Sequence, residues 1–218
     1  MKTKAAILVE LNKPLIVTEL DIPELKPGQI LVDIAYSGVC HTQLLESRGH
    51  RGEDKYLPHC LGHEGSGIVR EISEGVTKVK PGDKVVLSWI QGSGNNVPGT
   101  VYSWDGKKVN AGAITTFSKQ AIISENRVAK IDNNVSMKIA AMVGCAVSTG
   151  FGAAINVAKL KAENSVAVFG TGGVGLCAIA AAKTRGCEVI IAVDINDKKL
   201  ELAKIMGATH CINANEIN

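Results

Sequence analysis

Gly170-Thr-Gly172-Gly-Val-Gly175 constrains this chain more than any other segment, because of what stands on either side of it. Ser165-Val-Ala-Val-Phe169, just before it, is almost wholly apolar and predicts a strand buried on both faces, as strands of parallel sheets are. Val174 to Arg185, just after it, is rich in small residues and predicts a helix. Glu188 to Val193 reads as a second strand, Asp197 to Met206 as a second helix with Gly207 as its stop, and His210-Cys-Ile212 as a third strand. Strand, helix, strand, helix, strand is half of a doubly wound parallel sheet.

A G-x-G-x-x-G match alone means little in a chain with 23 glycines. Here it follows a strand and opens a helix, and Asp194 ends the next strand at the spacing of about 20 residues expected of a ribose-binding acid. Gly170, Gly172 and Gly175 then permit a tight turn and close backbone approach, so that a pyrophosphate can sit at the helix N-terminus. Asp194 would accept hydrogen bonds from ribose hydroxyls and repel a 2′-phosphate, which favours NAD over NADP.

Up to about residue 145 the texture is different, mostly short strands and turns. Ala5 to Val9, Leu15 to Glu19, Ile30 to Val39, Gly67 to Ile72 and Lys84 to Leu87 are β-rich, divided by turns such as Lys26-Pro27-Gly28 and Lys80-Pro-Gly-Asp83. One short helix is expected at His41 to Arg48, and residues 91–112 read as a loop or small excursion. Ser136 is placed to cap a helix through Val143, and Thr149 to Leu160 has helical composition. With 45% hydrophobic residues the chain can bury a core, whereas a net charge of +3 argues for neither nucleic acid nor membrane as partner. No apolar run in the sequence approaches the roughly 20 residues a spanning helix needs. Six cysteines spread widely fit reduced thiols and a cytoplasmic location better than a disulfide scaffold.

A lone cysteine or histidine is usually a packed side chain. Two thiolates and an imidazole are nevertheless the ligand set of a catalytic zinc with an open fourth position. Spacing alone does not select three such residues here. Gly38-Val-Cys-His-Thr42, Gly62-His-Glu-Gly-Ser-Gly67 and Gly144-Cys-Ala-Val-Ser-Thr-Gly150 closely resemble the zinc-dependent medium-chain alcohol dehydrogenases, and Gly170 to Gly175 and Val193-Asp-Ile-Asn196 follow in that family's order.

The resemblance covers essentially the whole chain. It implies a GroES-like, zinc-binding catalytic domain over residues 1–147 and the first half of an NAD-binding Rossmann domain over residues 148–218, an α/β fold with a β-rich N-terminal part. It implies Cys40, His63 and Cys145 as zinc ligands, Glu64 as the carboxylate that tunes the metal, and Thr42 as the hydroxyl that receives the substrate's proton. His41 would lie near the cofactor pyrophosphate, Thr149 and Val174 near the nicotinamide, and Lys199 near the adenosine ribose. The activity implied is zinc-assisted hydride transfer from a small alcohol to NAD, giving an aldehyde or ketone. The other reading of the same residues is a binding module or remnant that holds zinc or NAD without turnover.

Departures from the family pattern sharpen the expectations. Gln43 stands where an acid commonly orients the zinc-ligating histidine, and Leu45 where some members carry a proton-relaying histidine. Ser73 replaces an expected glycine. Residues 88–112 contain no cysteine, so one catalytic zinc and no structural zinc is expected, and that loop must be held by other contacts. Family members run longer, through a six-stranded nucleotide sheet, and the segment beyond the third strand usually builds their dimer. Whether this chain forms a homo-oligomer is therefore open.

Overall fold

The computed structural model describes residues 1–216 and divides into two units, Met1–Cys145 and Ala146 onward. The first unit opens with β1 (Lys2–Leu8), β2 (Ile16–Asp21) and β3 (Gln29–Ser37), followed by α1 (His41–Ser47). β4 (His59–Cys60), β5 (Glu64–Ile72) and β6 (Lys84–Ser88) come next. β7 (Val101–Trp104), β8 (Lys107–Asn110), β9 (Gln120–Ser124), β10 (Val128–Lys130) and α2 (Met137–Met142) complete it.

These strands form a closed barrel, β1-β2-β7-β8-β4, and a five-stranded sheet, β10-β6-β5-β3-β9. Side chains on opposite faces of β1 show why: Lys2 and Lys4 are exposed, whereas Thr3, Ala5 and Ile7 are buried, the period of two that a half-buried strand requires. Ile7, Leu20, Cys60, Tyr102 and Val109 fill the barrel. Ile30, Val32, Val69, Val85, Leu87 and Ile123 fill the core of the sheet.

Residues 91–112 are more ordered than their turn-rich sequence suggests. β7 and β8 pair as an antiparallel hairpin, and the turn residues Asp105 and Gly106 have φ of 48° and 80°. Positive φ at both central positions makes the two-residue turn whose twist matches its strands, and Asp-Gly is among its preferred sequences. The short strands β4, β9 and β10 are likewise additions to the sequence reading.

The two helices expected at 136–143 and 149–160 form one helical run, Met137–Val157. Gly144 and Ser148 weaken a helix without forbidding it, and no proline intervenes. The run is not uniform: π-helical turns at Val143–Val147 and Ala153–Val157 alternate with α2 and with α3 (Ser148–Gly152). Ser136 stands at the N-cap, yet its side chain makes no capping hydrogen bond. At 21 residues the run is long and apolar enough to cross a membrane by length and composition, which corrects the expectation that no stretch approached that length. Within the first unit, however, α2 packs on β3, β5 and β6.

The second unit holds α3, β11 (Ser165–Phe169), α4 (Gly173–Thr184), β12 (Val189–Asp194), α5 (Asp197–Met206) and β13 (His210–Asn213). Among the described residues its three strands are parallel, in the order β11-β12-β13. Asn196 caps α5 by accepting the Lys198 N–H, and Gly207 ends it at φ 118°, the left-handed conformation that favours glycine. β11 departs from the expected burial on both faces. Val166 and Val168 pack in a core with Ile179 and Ala182 of α4 and Leu200 and Ala203 of α5, whereas Ala167 is exposed and Phe169 is 80% exposed. Both helices cover the same face of the sheet, so the strand alternates as a half-covered strand does.

Candidate functional site

Cys40, His63 and Cys145, which the resemblance implies as zinc ligands, each stand where a regular element ends or is interrupted. Cys40 follows the end of β3 and immediately precedes α1, His63 precedes β5, and Cys145 lies within the first π-helical turn. The fold brings one ligand atom from each to within 4.8 Å of the others, and His63 Nε2 lies 3.3 Å from Cys145 Sγ. Sequence separations of 23 and 82 residues hide this convergence; the barrel and sheet create it.

Close backbone approach makes the convergence possible. A Cβ at Gly38 would lie 2.4 Å from Glu64 Oε1, and one at Gly144 would lie 2.1 Å from Leu87 O and 3.0 Å from Glu64 Cβ. Gly62 adopts φ 95°, and a Cβ there would meet Thr116 Oγ1 at 2.3 Å. The buried Glu64 side chain therefore stands beside both cysteine-bearing segments. Hydrogen bonds fix these backbones: Gly38 N–H donates to Glu64 O, Thr116 Oγ1 donates to Glu64 O, and Ser88 Oγ donates to Gly144 O at 2.6 Å.

The electrostatics suit a metal that must displace protons. Burial pushes the His63 imidazole below its ordinary pKa, which keeps its lone pair available. Burial, and then the Cys40 thiol and the Glu64 carboxylate, push Cys145 up to about 11, against a smaller opposing hydrogen bond from Trp89. A cation reverses that balance, because it stabilises the thiolate that burial and negative neighbours oppose.

Gln43 is buried at 4% exposure, and its Oε1 accepts the backbone N–H of Cys40 at 3.1 Å. This residue, which the sequence flagged only as a departure, thus braces the segment that carries Cys40. His41, exposed, and Thr42, half-buried, form the first turn of α1, and Leu45 is half-buried on the same helix. Ser73 ties the Lys26–Gln29 turn: its hydroxyl donates to Lys26 O and accepts Gln29 N–H.

The loop without cysteines is held by a carboxylate. Glu125, 1% exposed, accepts Thr77 N–H and Lys78 N–H on Oε1 and both Asn95 N–H and Asn95 Nδ2–H on Oε2. Lys78 Nζ bonds Ser93 O and Val128 O, and Val97 N–H bonds Ser124 Oγ.

In the second unit, Gly170 has φ 87° and Gly172 caps α4. A Cβ at Gly172 would meet nothing within 4 Å, whereas one at Gly175 would lie 1.9 Å from Gly170 O. The first space is open; the second is already taken by backbone. Asp194 Oδ2 accepts the N–H and the hydroxyl of Thr171, and its Oδ1 accepts Asn196 N–H. These bonds, the Thr171 N–H first, hold its carboxyl below the usual range, and Lys199 adds to the effect. Val174 and Thr149 lie on α4 and α3, and a Cβ at Gly150 would strike Cys177 Cβ and Val174 O, so α3 and α4 touch closely here.

Comparison with known proteins extends this description. Residues 26–133 match the alcohol dehydrogenase GroES-like domain, and residues 173–218 match the zinc-binding dehydrogenase family. An S-(hydroxymethyl)glutathione dehydrogenase of Escherichia coli (strain SMS-3-5 / SECEC) is 36% identical over 99% of this chain and 65% of its own length. Among solved structures, benzyl alcohol dehydrogenase from Acinetobacter calcoaceticus superposes with a TM-score of 0.88 at 33% identity, covering all of this chain and 65% of that one. An alcohol dehydrogenase zinc-binding domain protein from Burkholderia ambifaria superposes with a TM-score of 0.87 at 28% identity and the same coverage. The chain thus spans 65% of the length of these relatives.

Proposed function

Because the chain belongs to the zinc-dependent medium-chain alcohol dehydrogenase family, we propose that it is the N-terminal part of an enzyme that interconverts an alcohol with an aldehyde or ketone, using zinc and NAD. Residues 1–147 serve as the catalytic domain and residues 148–218 as the first half of the NAD-binding domain. The observation that carries this reading is the meeting of two cysteine sulfurs and one imidazole nitrogen within 4.8 Å, a donor set that fits zinc with one position left for substrate.

Bound there, zinc would supply Lewis-acid polarisation of an alcohol oxygen and NAD would supply the hydride acceptor. The chain's own residues do the rest. Cys40, His63 and Cys145 hold the ion, and Gln43 and the glycines at 38, 62 and 144 hold those ligands in place. Glu64, buried beside the ligand segments, tunes their charge from behind. Thr42, two residues after Cys40, offers the hydroxyl that takes the substrate proton, and His41 beside it serves the cofactor's phosphates. Leu45 on the same helix has no group that can carry a proton, so it takes no part in a relay from the Thr42 hydroxyl.

In the second unit the open space at Gly172 admits a pyrophosphate to the N-terminus of α4. Thr149 and Val174 serve the nicotinamide, while Asp194 and Lys199 bind the adenosine ribose. Asp194→Asn removes the negative charge and weakens charge-assisted hydrogen bonds. NADH affinity should fall about tenfold and the preference over NADPH should narrow, measured by parallel fluorescence titrations. Unchanged discrimination would remove Asp194 from this role.

Elemental analysis of the purified chain tests the central reading. About one zinc per chain is expected at the cysteine-bearing site, lost in Cys145→Ser with the fold retained by circular dichroism. A folded wild-type chain that takes up no zinc at this site would leave the remnant reading standing instead.

A further inference from the structure

A second cluster adjoins the cavity beside His63, which two of its residues, Glu46 and His59, line. Glu46 on α1, Asp54 in the loop after it and His59 on β4 each place one ligand atom within 4.8 Å of the others. His59 Nε2 lies 2.7 Å from Asp54 Oδ2 and 3.9 Å from Glu46 Oε1. The side chains of His59 and Asp54 are only 10% and 11% exposed.

Backbone contacts fix what each atom can do. His59 Nδ1 lies 3.1 Å from the carbonyl oxygen of Cys60, which only accepts, so Nδ1 carries the hydrogen. In a neutral ring Nε2 then bears a lone pair, and that lone pair faces two carboxylate oxygens that carry lone pairs only. The arrangement is repulsive unless a positive centre sits at Nε2, either a proton or a metal ion. Asp54 is oriented too: its Oδ1 accepts the Tyr56 N–H at 2.9 Å, which turns Oδ2 toward the ring. An imidazole that donates one N–H to a backbone carbonyl and offers its other nitrogen among oriented carboxylates has the outer-sphere support of a metal-ligating histidine.

We propose that Glu46, Asp54 and His59 form a divalent-cation site separate from Cys40, His63 and Cys145. Its donors are two carboxylates and one imidazole with no thiolate, so it accepts manganese, cobalt or zinc and disfavours soft monovalent copper. The adjoining cavity, about 490 Å³ and lined by Glu46, Tyr56, His59 and His63, supplies the waters that complete the coordination. The ion ties the loop between α1 and β4 to both elements and so fixes one wall of the cavity next to His63.

Manganese is the discriminating probe, because oxygen-rich sites hold it and thiolate sites do not favour it. Titration of the full chain with Mn²⁺, followed by loss of the free-ion electron paramagnetic resonance signal, should show one ion bound per chain. Asp54→Asn and His59→Asn should each weaken binding at least about tenfold. The asparagine at 59 keeps an N–H for Cys60 O while removing Nε2, and Glu46→Gln on α1 provides a milder variant if either fails to fold. Cys145→Ser should bind Mn²⁺ as the wild type does, and added zinc should displace the manganese, following the general affinity order. No Mn²⁺ uptake, with a doubly protonated His59 ring by nuclear magnetic resonance, would mean the cluster holds only a proton and would overturn the proposal. Binding that survives all three cluster substitutions, or that disappears in folded Cys145→Ser, overturns it equally.

Discussion

Glu125→Ala should destabilise the first unit by on the order of 4 kcal/mol, a large loss for a single site. The carboxylate is buried and accepts from four N–H groups, of Thr77, Lys78 and Asn95, and alanine leaves the three backbone N–H groups without it, while Asn95 Nδ2 keeps Gly75 O. Glu125→Gln should lose nearly as much. Both oxygens receive two N–H donors, so whichever way the amide turns, its NH₂ group faces donors. Trp89 and Trp104 both lie in the first unit, so urea unfolding followed by tryptophan fluorescence reads the effect where it occurs. The pH dependence has a definite sign. Burial raises the Glu125 carboxyl pKa, the hydrogen bonds from Asn95, Thr77 and Lys78 outweigh it, and the group sits at about 2, below its ordinary 4.5. Its contribution is therefore complete above about pH 4.5 and drains away as pH falls toward 2. The wild-type midpoint should drop across that window, and the midpoints of both variants should drop less. Equal slopes would mean the carboxylate is not the group that holds the loop.

The second large effect is expected at Gly175, and it is best seen against Gly172. Gly175→Ala drives a Cβ to 1.9 Å from Gly170 O, in the packing between the start of α4 and the turn that precedes it. Overpacking of this kind costs roughly 1–3 kcal/mol, and the turn must shift to relieve it. Gly172→Ala meets nothing within 4 Å at φ −72°, so the fold should be untouched. Both variants should lose NADH binding by at least about tenfold, Gly175→Ala with a lowered melting temperature and Gly172→Ala without one. That split distinguishes a glycine required by the protein's own backbone from one required by the approach of a ligand. If Gly172→Ala binds NADH normally, the open space at the head of α4 is not a pyrophosphate site.

The nucleotide half was legible because its signals are local. Apolar strands, a glycine turn and an acid about 20 residues on sit within one stretch of chain. The Asp105-Gly106 hairpin was equally local, an Asp-Gly between β-prone residues, and was overlooked in a region rich in turn formers. The alternation along β11 was not visible in the sequence, because an apolar run is compatible with one covered face or two, and within the described residues α4 and α5 cover one. The helix through Gly144 was broken too early because glycine lowers helix propensity without forbidding the helix. The grouping of Cys40, His63 and Cys145 required the resemblance, since separations of 23 and 82 residues carry no periodic signal. Glu125 and the cluster of Glu46, Asp54 and His59 left no sequence trace, and Gln43 showed only as a departure whose bond to Cys40 N–H was not visible. Each depends on which backbone donors or side chains the closed barrel and sheet bring near it.

The two segments that carry Cys40 and Cys145 are spaced by Glu64, whose side chain fills the room that glycines at 38 and 144 leave. A pocket gauged by a side chain rather than by its ion keeps its dimensions when emptied. Stripping the metal should therefore leave the far-ultraviolet spectrum unchanged, and reloading should proceed without a refolding lag. At the proposed metal position the distance between the cysteine segments is thus set by the chain's own glutamate before any ion arrives.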